Sequence, residues 1–150
     1  MKNPTNISSY EYRIKTILSV KNLKWSNAAI EESFHRNFHR TSDLLVFITE
    51  GSANYIFDGK DHFLSAGDVV FLSRGCNYFR PVSSKSYSAI FIDFDFDTPE
   101  KTVLPCEAFK DMQSLDTRFL KLYNTWKNKE ISHYSECMSI FYNIYSRLIR

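Results

Sequence analysis

The sequence predicts a mainly β, antiparallel domain followed by two C-terminal α-helices, and three observations carry that prediction. Between Leu44 and Phe94, five short apolar or alternating runs are separated by turn signals: Leu44–Thr49, Asn54–Phe57, His62–Leu64, Val69–Leu72 and Tyr87–Phe94. All four glycines of the chain fall at the breaks and none inside a run. Beyond Glu107 the apolar residues change from a period of two to one of three or four.

In chain order, residues 1–9 are polar and read as an arm or a disordered start. Tyr10–Val20 ends in Thr16-Ile17-Leu18-Ser19-Val20 and reads as the first strand. Asn22–Ala29 is a polar connection; its Trp25 either caps a core edge or covers a pocket. Ile30–Arg40 fits a helix face through Ile30, Phe34 and Phe38. It equally fits a strand with Phe34, Arg36, Phe38 and Arg40 on one face, which agrees better with the hairpins that follow. Asp58-Gly59 between two aromatic runs signals a tight hairpin, because both central residues need φ > 0. Helical spacing then starts at Glu107. Met112, Leu115, Phe119, Leu122 and Trp126 form one stripe, with Ser114 or Asp116 available as a cap. Lys127–Glu130 breaks the pattern, and a second helix from about Ser132 carries Tyr134, Met138, Phe141, Tyr145 and Leu148. That pattern runs into Leu148-Ile149-Arg150 with no stop signal, so the chain is expected to be a piece of a longer protein.

The 150 residues, 43% hydrophobic and 24% charged, suffice for one domain with its own core. A net charge of +2 gives no argument for a nucleic-acid or membrane surface. No apolar run approaches the ~20 residues of a membrane-crossing helix. The start, "MKNPTNISSYEYR", lacks the apolar segment of a secretory signal, so a cytoplasmic location is expected. Cys76, Cys106 and Cys137 are odd in number and far apart in sequence. They are expected to be reduced thiols rather than a disulfide or zinc framework. The chain has no Gly-x-Ser-x-Gly elbow, P-loop or Gly-x-Gly-x-x-Gly, and no catalytic residue is assigned. Asp93, Asp95 and Asp97 share a strand face and offer a paired-acid site, although Asp95 and Asp97 fit a solvated strand end better.

Taken together, Arg36 or Arg40 ahead of "LLVFITEG", then "DG", "LSAGDVVFL", Tyr78, "IFIDF" and two helices resemble the cupin jelly roll. More narrowly, the order resembles the N-terminal effector-binding and dimerisation domain of AraC-family transcription regulators. The resemblance covers residues 30–150 and implies a cupin-type jelly-roll barrel with its arm over 1–105. A helical dimerisation or linker segment over 106–150 would pack on it. It also implies a small effector, with a carbohydrate favoured, no cofactor and no enzymatic activity. Partners would be a second copy of the chain, and DNA only through a helix-turn-helix region absent from this chain.

Cupin enzymes hold a metal with two His and a Glu from one motif and a His from the next. Those positions fall here on Asn37, His39, Leu44 and Tyr78, so one ligand of four survives and no metal is expected. A metal-dependent cupin enzyme with rearranged ligands, or a stand-alone carbohydrate-binding cupin, are the alternatives. The period-two rule turns Ile90, Ile92, Phe94 and Phe96 toward the helices and Tyr87, Ala89, Phe91 and Asp93 inward. The expected ligand-binding set is therefore Arg36, His39, Arg40, Tyr78, Arg80, Tyr87, Phe91 and Asp93. Arginine offers a planar fork to vicinal hydroxyls or a carboxylate, and an aromatic face covers a sugar ring. Taken singly, Arg36 and Arg40 serve equally as surface ion pairs. The expected dimer interface is Tyr134, Met138, Phe141, Tyr145 and Leu148, the stripe of the second helix.

Overall fold

The computed structural model describes residues 4–25 and 37–149. The strands among them are β1 (Ile14–Trp25), β2 (Asn37–His39), β3 (Asp43–Glu50), β4 (Ser52–Phe57), β5 (Lys60–Ser65), β6 (Val69–Leu72), β7 (Asn77–Phe79), β8 (Tyr87–Phe96) and β9 (Glu107–Phe109). They form two antiparallel sheets, one in the order β1-β8-β3-β6-β9 and the other β2-β7-β4-β5. A 3-10 turn at Gln113–Leu115 leads into α1 (Asp116–Asn128), and α2 (His133–Leu148) follows. The expected mainly β jelly roll with two C-terminal helices is the observed architecture. No helix among the described residues is long and apolar enough to cross a membrane.

The period-two pattern explains why this arrangement holds. In β3, Leu45 and Phe47 face one apolar cluster while Leu44, Val46 and Ile48 face another. The same division separates Val69 and Phe71 from Val70 and Leu72 in β6. In β8, Ile90, Ile92, Phe94 and Phe96 join the first cluster, and Tyr87, Ala89 and Phe91 the second, as the alternation predicts. These strands are buried on both faces, so their sequence reads as nearly unbroken apolar runs. The first cluster lies between the five-stranded sheet and the helices; the second fills the space between the sheets. The β4–β5 turn places Asp58 at φ 54° and Gly59 at φ 69°, the pair of positive angles a two-residue hairpin requires. Gly51 sits at φ 82° where a Cβ would collide with the Ser86 carbonyl oxygen.

Several boundaries differ from the sequence reading. The first strand starts at Ile14 and continues through Trp25, because Lys21–Trp25 pair with Phe91–Tyr87 of β8. Glu107–Phe109, expected to open a helix, instead extends the five-stranded sheet beside Phe71–Val69 of β6. The open edge of β6 captures this segment, and Asp111 at φ 60° ends it, so α1 starts only at Asp116. Neither Ser114 nor Asp116 caps α1 through its side chain; Leu115 is the N-cap residue. The N-terminal arm is docked. Ile7 is 1% exposed, and the Tyr145 hydroxyl donates to the Tyr10 carbonyl (2.7 Å) and accepts the Tyr12 N–H (2.9 Å). The helix-or-strand ambiguity at Ile30–Arg40 falls mostly outside the described residues; Asn37–His39 is strand.

The second helix needs a larger correction. Phe141, Tyr145 and Leu148, expected at a dimer interface, are buried against this chain's own sheet. Phe141 meets Phe94 edge-on at 4.7 Å between ring centres, and Tyr145 lies 5.3 Å from Phe96. The outer sheet face is wide enough to take both helices, with α1 contributing Leu115, Phe119 and Leu122 and stacking Phe119 on Phe47 at 4.6 Å. Met138 is half-buried against the same core. Of the five, only Tyr134 is exposed, and its hydroxyl meets Thr16 Oγ1 at 2.7 Å. Phe141→Ala is therefore expected to lower folding stability by about 3–5 kcal/mol in urea titrations. Tyr134→Ala should cost under about 1 kcal/mol.

Asp68, from the Gly-Asp pair before β6, fixes the junction between barrel and helices. Its carboxylate accepts the N–H groups of Ser65 and Asp111 and the Lys110 ammonium, each at 2.9 Å. Burial pushes its pKa up, but the Lys110 bond and the two backbone donors outweigh that and hold it below the ordinary aspartate range. A folded-state pKa below the unfolded value contributes stability above about pH 4 that is lost as pH falls through the lower folded pKa. Denaturant midpoints measured from pH 6 to pH 2 should fall less steeply for Asp68→Asn than for the parent chain.

Candidate functional site

Among the described residues, the space between the sheets holds the charge of Arg80 in an aromatic setting. Arg80 follows β7, and its residue is 4% exposed. Its guanidinium carbon lies 4.4 Å from the ring centre of Trp25, 4.9 Å from Phe38, 5.8 Å from Tyr87 and 5.9 Å from Phe91. The geometry follows from the strands. Trp25 ends β1 opposite Tyr87, Phe38 lies in β2 opposite Tyr78, and Phe91 points inward from β8. Four ring faces within cation–π reach partly replace the hydration that the guanidinium loses. They do not supply a counter-charge. Among the described residues no carboxylate lies within ion-pair distance of Arg80, and its Nε has no hydrogen-bond partner. A buried cation without an anion costs several kcal/mol.

Phenol groups surround this centre. The Tyr55 and Tyr87 hydroxyls are hydrogen-bonded to each other, and Tyr55 lies within the field of the Arg80 charge. Tyr78 stacks on Phe38 with ring centres 4.9 Å apart and planes 14° from parallel. Burial is the first cause that pushes Tyr55, Tyr78 and Tyr87 above the ordinary phenol range, so all three stay protonated and retain a hydrogen to donate.

The expected site residues divide. Tyr78, Arg80, Tyr87 and Phe91 come together around the interior. Arg40 does not join them: its Nη2 pairs with Asp93 and donates to Ser42 Oγ (3.0 Å), and its Nε donates to the Ser42 carbonyl (3.2 Å). Asp93 in turn accepts the Ser19 hydroxyl at 3.1 Å. This arginine and this aspartate tie the β2–β3 connection to β1 and β8, the ion-pair reading of Arg40. His39 is exposed and bonds Asn77 Oδ1 through Nδ1 (3.0 Å), so its ring points away from the interior on which Phe38 packs. Arg36 lies outside the described residues. Asp95 is half-buried with Arg74 Nη1 at 3.6 Å rather than at a solvated end. Trp25, Phe38 and Tyr55 complete the interior. Trp25 packs at the edge of this cluster on Tyr87 and Phe91, the core-capping reading of its sequence, while the signal for Tyr55 is its period-two place in β4 with Ala53 and Phe57.

The metal chemistry of cupin enzymes does not fit these side chains. Leu44 is an apolar core residue, Tyr78 is stacked on Phe38, and Asn37 and His39 are exposed. Among the described residues no three of His, Cys, Asp and Glu are grouped to hold an ion.

No protein-family model matches the sequence, and no curated protein matches it. Solved structures do. The apo form of ToxT from Vibrio cholerae is 11% identical over 92% of this chain and 57% of ToxT, with a TM-score of 0.60. ToxT with an unsaturated fatty acid bound is 13% identical over 93% of this chain and 56% of ToxT, with a TM-score of 0.55. EutQ of Clostridium difficile is 16% identical over 55% of this chain and 60% of EutQ, with a TM-score of 0.44. The match thus spans between half and two thirds of these solved chains. At such identities the likeness establishes the fold: the chain is a cupin-like jelly-roll domain carrying two C-terminal helices.

Proposed function

We propose that this chain is the effector-sensing domain of an AraC-type transcription regulator, and that it binds a small molecule against Arg80 inside the barrel without altering it chemically. The observation that carries the reading is the buried guanidinium, ringed by Trp25, Phe38, Tyr87 and Phe91 and lacking a carboxylate partner among the described residues. A ligand carboxylate would supply the missing charge through the planar fork, and its apolar part would lie on the aromatic walls. The overall likeness to ToxT, an AraC-family protein that has been solved with an unsaturated fatty acid bound, supports the same reading. DNA contact belongs, in this proposal, to a region beyond the chain, since the match to ToxT spans little over half of it.

A carbohydrate effector is the second reading. It is favoured by the hydroxyls of Tyr55, Tyr78 and Tyr87, which stay protonated beside ring faces suited to a sugar. The expected homodimer is kept as a proposal, but it must use surfaces other than Phe141, Tyr145 and Leu148, which serve the core.

Isothermal titration with oleate, decanoate and a panel of neutral monosaccharides separates the readings. Oleate or decanoate should bind, quench or shift Trp25 fluorescence, and lose about tenfold to a hundredfold in affinity in Arg80→Met, the scale of a charge-assisted hydrogen bond. Trp126, distant in sequence and on α1, serves as the control in Trp25→Phe. Binding of a monosaccharide alone, weakened by Arg80→Met, selects the second reading. Ligand affinity that ignores Arg80→Met in a folded variant defeats both.

The absence of chemistry has its own test. Protein purified without chelator should hold far less than one equivalent of zinc, iron, manganese or nickel by elemental analysis, because Leu44 and Tyr78 occupy ligand positions. A stoichiometric metal would revive the enzyme alternative.

A further inference from the structure

Cys76 and Cys106 are thirty positions apart in sequence, yet both line one cleft and both bond Ser73. Two backbone features bring them together. The turn from Ser73 to Cys76 closes through the Cys76 N–H on the Ser73 carbonyl (3.1 Å), folding Cys76 back over Ser73. The sheet extension by β9 puts Cys106 beside the end of β6, where its sulfur meets the Ser73 N–H and the Ser73 hydroxyl, each at 3.5 Å. Both cysteines are half-exposed and line one cleft of about 440 Å³ together with Asp58, Ser73, Asn77 and Pro105. Cys137 differs: it is fully buried between the helices and the sheet.

We propose that Cys76 and Cys106 form a reversible dithiol–disulfide site, oxidised through this cleft by a low-molecular-weight disulfide such as oxidised glutathione. A metal role fits less well, since no third His, Cys, Asp or Glu joins the pair among the described residues. The chemistry runs in two exchanges. The Cys106 thiolate attacks one sulfur of the small disulfide, forming a mixed disulfide and releasing one thiolate. Cys76 then gives up its proton to solvent or to that thiolate and attacks Cys106 Sγ. The second small thiol leaves, so one disulfide is made in the protein and one is consumed. The order of attack follows from which thiol loses its proton more readily. The neighbouring Cys76 thiol, with the Ser73 N–H and hydroxyl, holds Cys106 below the ordinary thiol range against the effect of burial. The neighbouring Cys106, with burial, pushes Cys76 up. This site stands on its own geometry, whatever ligand the barrel takes.

The test is to incubate the reduced, folded chain with oxidised glutathione, block remaining thiols and map the peptides by mass spectrometry. The expected result is loss of two of the three thiols, a Cys76–Cys106 cross-linked peptide within one chain, and its return to free thiols with dithiothreitol. Cys137 should be blocked only after denaturation. In Cys76→Ser, checked for folding by circular dichroism, the reaction should stop at a glutathione adduct on Cys106. A stable glutathione adduct on the parent chain without a cross-link would overturn the proposal. So would cross-links joining two chains, or a folded chain whose thiols all survive an oxidation that the unfolded chain does not.

Discussion

β3, β6 and β8 have almost no solvent face, and the rest of the molecule depends on that constraint. Each strand sends alternate side chains into two separate apolar clusters, so the five-stranded sheet is a wall shared by the barrel interior and the helical layer. Neither side is complete alone. Without the helices, Ile90, Ile92, Phe94 and Phe96 would lie open to water, and an exposed stripe of that size belongs to an interface rather than a stable surface. Without the four-stranded sheet, Tyr87 and Phe91 would lose the partners that hold Arg80. The helices are thus part of the domain's own core, which is why the second helix has its aromatic stripe turned inward.

The shared wall also joins the candidate site to the architecture. Phe91 faces Arg80, while its neighbours Ile90 and Ile92 pack under the helices. One stretch of β8 backbone therefore carries both the interior lining and the helix-docking face. Trp25, at the end of β1, is paired with Tyr87 of β8, so the aromatic cover over Arg80 belongs to the longest strand pair of the sheet.

The arginines near the barrel differ in how their charge is met. Arg40 is matched by Asp93, and Arg74 by Asp95, with Asp43 accepting the Arg74 N–H (2.7 Å) and the Phe96 N–H (3.0 Å). Burial raises the Asp43 pKa against those two donors, which shows how far from water this corner lies. These groups tie connections to strands, and their charges are answered within the chain. Arg80 has rings where the other two have carboxylates. Aromatic quadrupoles attract a cation but do not neutralise it, and among the described residues that difference sets Arg80 apart from the two paired arginines.

By itself the sequence determined whatever depends on local chemistry and on a period of two. Asp58-Gly59 marks the β4–β5 turn because few other pairs tolerate two positive φ angles. The alternation in Tyr87–Phe96 sorts the last long strand into its two faces, and the spacing of Leu115, Phe119 and Leu122 locates the buried side of α1. Partners distant in the chain were decided only by tertiary structure. Glu107–Phe109 carries a helix-compatible composition and became a strand because β6 offered an unpaired edge. Phe141 looks the same in sequence whether it meets a second subunit or Phe94; only the width of the sheet face settles it. Arg40 and Arg80 are equivalent by residue type, and one is paired while the other is caged because Asp93 lies beside the first and Trp25, Phe38 and Phe91 beside the second. Cys76 and Cys106 are far apart along the chain and adjacent in space, since hydrogen bonding to Ser73 from two directions is a property of the fold and not of any local stretch.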